Sequence, residues 1–113
     1  MVMNVSIVIP TYNRKPILEK CLKALENQNL NENISNYEVI VVDDGSTDGT
    51  ISWIRNNNKF LSHVVLYEQE QSGPALGRNL GVMKSKYETI IFIDSDLIAV
   101  SYTHLTLPTN REV

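Results

Sequence analysis

The chain has 113 residues, 42% of them hydrophobic, which is enough for one compact core and too little to make a second complete domain plausible. A charged fraction of 20% and a net charge of -3, with no long run of one sign, favour neither a disordered tail nor a nucleic-acid footprint. The single cysteine, Cys21, excludes an internal disulfide; among Ile17, Leu18, Leu22 and Leu25 at helical spacing it reads as a buried thiol.

Met1 to Asn4 carry no basic cluster, and the apolar run Val5 to Ile9 is too short for a signal core or a membrane span. That run, mostly β-branched and ended by Pro10, predicts a strand buried on both faces. From Pro16 to about Gln28 the apolar residues Ile17, Leu18, Cys21, Leu22 and Leu25 predict an amphipathic helix, with Pro16 in its first turn. Lys15, Lys20 and Lys23 read as its solvated face, and Glu19 with Lys23 as an i,i+4 ion pair.

A polar loop over Asn29 to Asn36 leads to a second buried strand, Val39 to Val42, which runs directly into Asp43-Asp44-Gly45-Ser46-Thr47-Asp48-Gly49-Thr50. A short helix with Ile51 and Ile54 follows, and then a third apolar run at Val64, Val65 and Leu66. Gly73 opens a helix whose apolar positions are expected at Leu76, Leu80 and Met83, and Thr89 to Ile93 make a fourth strand ending at Asp94-Ser95-Asp96. The β-α-β-α-β-α-β order predicts an α/β fold with a parallel sheet covered on both faces. After Val100 the pattern is lost, so residues 101–113 are set apart from 1–100 as an edge strand, a frayed end or a foreign sequence.

In open parallel sheets ligands bind beyond the carboxyl ends of the strands, where strand order reverses. That rim is where the polar residues collect: Pro10, Thr11, Tyr12, Asn13 and Arg14 after the first strand, Asp43 and Asp44 after the second, Asp94 and Asp96 after the fourth. Uncompensated, four carboxylates on one rim repel one another, and a cation or a donor-rich ligand relieves them. Strand periodicity puts Asp94 and Asp96 on one side, suiting a hard divalent ion that prefers oxygen ligands and substrate phosphates. An aspartate ending the second strand could accept a uracil imide N–H while its neighbour reaches ribose hydroxyls. Tyr12 could stack on the base, and Arg78 could present a forked donor to a diphosphate. Ser46, Thr47 and Asp48 are expected only to cap helices and form turns. Taken singly, each group has a structural alternative as turn, rim or surface residue.

The string Val5 to Asn13, the block Val41 to Thr50, the segment Gly73 to Asn79 and Ile93-Asp94-Ser95-Asp96 together resemble the successive motifs of family 2 glycosyltransferases, in order and spacing over roughly residues 4 to 98. The resemblance implies a GT-A fold with Rossmann-like sheet, binding a nucleotide-diphospho-sugar, a UDP-sugar above others. It implies donor contacts at Pro10, Thr11, Tyr12, Asp43, Asp44, Arg78 and Asp94, with Asp94 and Asp96 holding Mg²⁺ or Mn²⁺. The family transfers a sugar, generally with inversion, to a glycan, lipid or other hydroxyl acceptor, and its members work in the cytosol, often at the inner membrane face. The carboxylate base of that reaction lies beyond the acid-x-acid motif, where this chain offers only Glu112. No catalytic base is therefore assigned, and the expectation is a truncated product that lacks the acceptor half.

Two other phosphate-binding classes fit poorly. A dinucleotide fold needs a glycine-rich first turn, and a P-loop needs Gly-Lys where this chain has Gly77-Arg78. A receiver-type signalling domain carries its acidic pair after the first strand rather than the second. A non-catalytic nucleotide-sugar-binding module remains as an alternative.

Overall fold

A computed structural model describes residues 3–27 and 34–93 of the chain. These residues form β1 (Met3–Thr11), α1 (Lys15–Asn27), β2 (Ile34–Asp43), α2 (Thr50–Asn56), β3 (Val64–Glu68), α3 (Pro74–Lys84) and β4 (Thr89–Phe92). The four strands make one parallel sheet in the order β3-β2-β1-β4. Strand order thus reverses at β1, which has β2 on one side and β4 on the other. Among the described residues no helix is long and apolar enough to cross a membrane.

The predicted alternation of elements is present, and the burial of β1 and β2 follows from their central positions. Val5, Ile7 and Ile9 of β1 pack with Val39 and Val41 of β2 against Leu18, Cys21, Leu22 and Leu25 of α1 and Ile54 of α2. The alternate residues Val8, Ile40 and Val42 face the other way, against Leu80 of α3, Tyr67 and Ile90. With helices on both faces neither strand can alternate apolar with polar, which is why both read as near-continuous hydrophobic runs. Each fully buried leucine of α1 contributes about 2 kcal/mol through the area it removes from water. Cys21 is wholly buried in this layer, and burial raises its thiol pKa to about 11, so it behaves as a small apolar residue.

Two local expectations are corrected. The buried stripe of α3 is Gly77 and Gly81, while Leu76 is 52% and Met83 78% exposed. Both glycines face the sheet: a Cβ at Gly81 would stand 2.3 Å from a Val8 methyl, and one at Gly77 would stand 3.2 Å from Pro10 Cβ. The backbone of α3 therefore approaches β1 more closely than any side chain would allow, turning Leu76 and Met83 outward. On α1, Glu19 pairs with Lys15 at 2.5 Å rather than with Lys23, whose ammonium lies 6.0 Å from the centre of the Trp53 ring.

At the amino ends of the strands the buried Glu38 accepts the Ser6 hydroxyl and the Lys86 N–H, both at 2.6 Å. This carboxylate closes the turn between α3 and β4 and explains how two polar residues sit inside the sheet.

Candidate nucleotide-sugar cleft

The period of the strands sorts the carboxylates at their far ends. Val39, Val41 and Asp43 lie on the α1/α2 face, and Asp43 is 0% exposed; Ile40, Val42 and then Asp44 lie on the α3 face. Thr11 and Tyr12 divide in the same way, with Thr11 register-paired to Asp43 and buried beside it. The backbone holds this arrangement past the strand ends, because Asp44 donates its N–H to the Thr11 carbonyl at 2.9 Å and Gln69 donates to the Asp43 carbonyl at 2.8 Å.

Asp43 builds the turn. Its Oδ2 accepts the N–H groups of Gly45 at 3.1 Å and Ser46 at 2.8 Å, while Gly45 takes a φ of +94° that favours glycine. Its Oδ1 and the Thr11 Oγ1 are buried without a partner among the described residues.

Asp44 lines a cleft of about 900 Å³, within the range of about 300–1,000 Å³ usual for small-molecule sites. The walls come from the end of β1 (Pro10, Thr11, Tyr12), the end of β4 (Phe92, Ile93) and the start of α3 (Gly73, Pro74, Arg78). The cleft therefore opens at the carboxyl edge on either side of β1, where strand order reverses.

Three N–H donors converge on Asp44: Oδ1 accepts Ser72 N–H at 2.7 Å and Gln69 Nε2 at 2.9 Å, and Oδ2 accepts Gly73 N–H at 3.1 Å. The Ser72 bond, with those from Gln69 and Gly73, outweighs partial burial and lowers the Asp44 pKa below its ordinary value. Asp44 is thus a fixed anion at neutral pH, and Oδ2, with one bond, keeps the freer acceptor capacity.

Next to Asp44 the start of α3 has no cap from its own N-cap residue, Gly73, and no acidic residue in its first turn. The Gly73 N–H is already taken up by Asp44, and beyond it Arg78 of α3 lines the cleft with a guanidinium suited to phosphate oxygens.

Of the residues expected from sequence, Pro10, Thr11, Tyr12, Asp44 and Arg78 are brought together around one cleft, and Asp43 lies beneath it on the opposite face. Asp94 and Asp96 lie outside the described residues. Among the described residues no three carboxylate, imidazole or thiol groups gather where an ion could be held, and the oxygens of Asp44 are engaged by N–H donors.

Sequence reasoning missed Gln69, Gln71 and Ser72. The signal available was the polar alternation Glu68-Gln69-Glu70-Gln71 immediately after a strand, at the rim where ligands bind. The block Ser46 to Asp48 also does more than cap and turn: Ser46 Oγ accepts Asn13 N–H at 2.8 Å, and Thr47 N–H donates to Asn13 Oδ1 at 2.7 Å.

The sequence and the fold have counterparts among known proteins. The family described as Glycosyl transferase family 2 matches residues 6–102. The poly(ribitol-phosphate) beta-glucosyltransferase of Bacillus spizizenii is 38% identical over 96 residues, covering 83% of this chain and 15% of that protein. The crystal structure of residues 1–349 of S. aureus TarS with UDP-GlcNAc superposes with a TM-score of 0.71 at 31% identity, over 83% of this chain and 27% of that one. The mannosyltransferase PcManGT of Pyrobaculum calidifontis, in complex with GDP-Man and Mn²⁺, gives a TM-score of 0.68 at 31% identity, over 85% of this chain and 28% of that one. The chain thus spans less than a third of the length of each of these three proteins. Over that stretch its α/β sheet is the GT-A arrangement.

Proposed function

The chain belongs to glycosyl transferase family 2, and from that premise we propose that its cleft binds a nucleotide-diphospho-sugar, a UDP-sugar first among them. The observation that carries the reading is the polarity of the cleft, with a fixed anion at Asp44 bonded to the N–H groups before α3 and a guanidinium, Arg78, further along that helix. The Asp44 carboxylate repels phosphate and accepts N–H donors, so the nucleobase belongs beside it and the diphosphate towards Arg78. Uracil offers one imide N–H to an acceptor-only group, and Asp44 rather than Asp43 faces the ligand. Tyr12, 42% exposed at the mouth, supplies a ring on which the base can stack.

Asp94 and Asp96 are proposed to hold Mg²⁺ or Mn²⁺, which when bound would neutralise charge on the departing diphosphate. For these 113 residues the proposed activity is donor binding. Transfer of the sugar to an acceptor hydroxyl with inversion is proposed for a protein of the relatives' length.

Calorimetric titration with UDP and UDP-GlcNAc, with and without Mn²⁺, tests the reading. UDP should bind, and Asp44→Asn should weaken it by about tenfold or more, since a hydrogen bond to a charged group is worth about 1.5–3 kcal/mol. Asp94→Asn with Asp96→Asn should abolish any gain from Mn²⁺. A folded chain that ignores UDP at millimolar concentration removes the proposal.

A further inference from the structure

The segment from Gln69 to Gly73 links edge strand β3 to α3, and four of its hydrogen bonds reach two residues lining the cleft. Three go to Asp44, as described, and the fourth runs from Gln71 Nε2 to the Tyr12 hydroxyl oxygen at 3.0 Å, across 59 residues of sequence. The Ser72 hydroxyl bonds the Glu70 carbonyl and closes the bend between them. Gln71 is also held along its stem: its Cγ packs over Gly45, 3.3 Å from where a Cβ would stand. A Cβ at Gly45 would push this stem back by a few tenths of an ångström.

We propose that Gln71 is a positioning residue for the nucleobase and acts through the Tyr12 hydroxyl, so that Gln69 to Gly73 set the stacking ring and the base-reading carboxylate together. The inference rests on the nucleotide-sugar reading above. An exposed tyrosine can swing its ring among the χ1 rotamers, and the place of the ring must be fixed before a base can stack on it. The Gln71 amide fixes it at the far end, and the contact with Gly45 fixes the amide. The segment Gln69 to Gly73, a strap along the cleft, is thereby rooted in the turn that Asp43 builds, and the buried and cleft-facing aspartates serve one assembly.

The test is a double-mutant cycle read by UDP affinity on the 113-residue chain. Gln71→Met keeps the stem over Gly45 and removes the donor, and Tyr12→Phe keeps the ring and removes the acceptor. Each should weaken UDP binding by about three- to tenfold, the loss expected when one side chain must be ordered on binding. The double variant should bind no more weakly than the poorer single variant, because the second change has nothing left to remove. Thermal midpoints of all three should match the parent, since both side chains are exposed. Additive losses, or full UDP affinity in Gln71→Met, overturn the proposal while leaving the nucleotide site standing. Failure of the unmodified chain to bind UDP overturns both together.

Discussion

Asp48 caps a helix that begins thirty-three residues before it: its Oδ2 accepts the Lys15 N–H, the first of α1, at 2.9 Å. Its Oδ1 accepts the Thr50 N–H at 3.2 Å and the Thr50 hydroxyl, so one carboxylate serves the first turns of two helices. Neither helix has an acidic residue in its own first turn. Asp48→Ala should destabilise the chain by about 1–2 kcal/mol, the cost of a lost helix cap, and Asp48→Asn by less because the amide oxygen still accepts. Urea unfolding at constant m-value measures the difference. No change in the midpoint for Asp48→Ala would mean that the shared cap contributes nothing.

Close approach of α3 to β1 makes a second expectation. A methyl added at Gly81 meets a Val8 methyl at 2.3 Å, and Val8, β-branched and fully buried, has no free rotamer to yield with. Alanine gains about 1 kcal/mol in helix propensity over glycine, but overpacking a filled core costs about 1–3 kcal/mol, so Gly81→Ala should be net destabilising. Val8→Ala in the same chain makes room for the new methyl, so the double variant should be less destabilised than the two separate losses add to. Additive unfolding energies would show that the helix shifts away instead.

The same pair of glycines marks where sequence reading stops. The order of elements and the two-sided burial of β1 and β2 were legible because apolar periodicity reports how many faces a strand buries. The rim was legible because Asp43, Asp44 and Tyr12 stand at strand ends. Which face of α3 is buried was not, because Leu76 and Met83 look like core while Gly77 and Gly81 look like breakers, and only the distance to Val8 and Pro10 decides between them. The fine division of the acidic pair was missed for a different reason. Period-two alternation places Asp43 and Asp44 on opposite faces, but which face holds the ligand depends on where α3 packs. The bonds from Gln69, Gln71 and Ser72 span 25, 59 and 28 residues, beyond the reach of local pattern.

That division separates two otherwise similar substitutions. Asp43→Ala strips two half-buried turn N–H groups of their acceptor and should lower stability by about 1–3 kcal/mol. Asp44→Asn keeps the shape at the rim and should cost less stability while weakening UDP binding more. Paired denaturation and titration curves on the two variants check the order. Equal effects on stability and on affinity would mean that the two aspartates are not functionally distinct.

Acid should loosen the strap in a defined direction. The folded pKa of Asp44 is depressed by its bonds from Ser72, Gln69 and Gly73, so its contribution to stability is present above the unfolded aspartate value and is lost as pH falls through the lower folded value. Asp48 acts in the same sense: burial raises its pKa, but the bonds from Thr50 and Lys15 together outweigh burial and lower it. Between pH 8 and pH 6 neither group changes charge, so neither should give a pH slope to stability there. Below about pH 4, the ordinary aspartate range, stability should decline, and less steeply in Asp44→Asn. The midpoint of urea unfolding, followed from pH 7 to pH 3 for the parent and for Asp44→Asn, measures this. A parent curve parallel to that of the variant throughout would mean that the three bonds to Asp44 leave its titration where it stands in the unfolded chain, and that the anion in the cleft is not held by the strap.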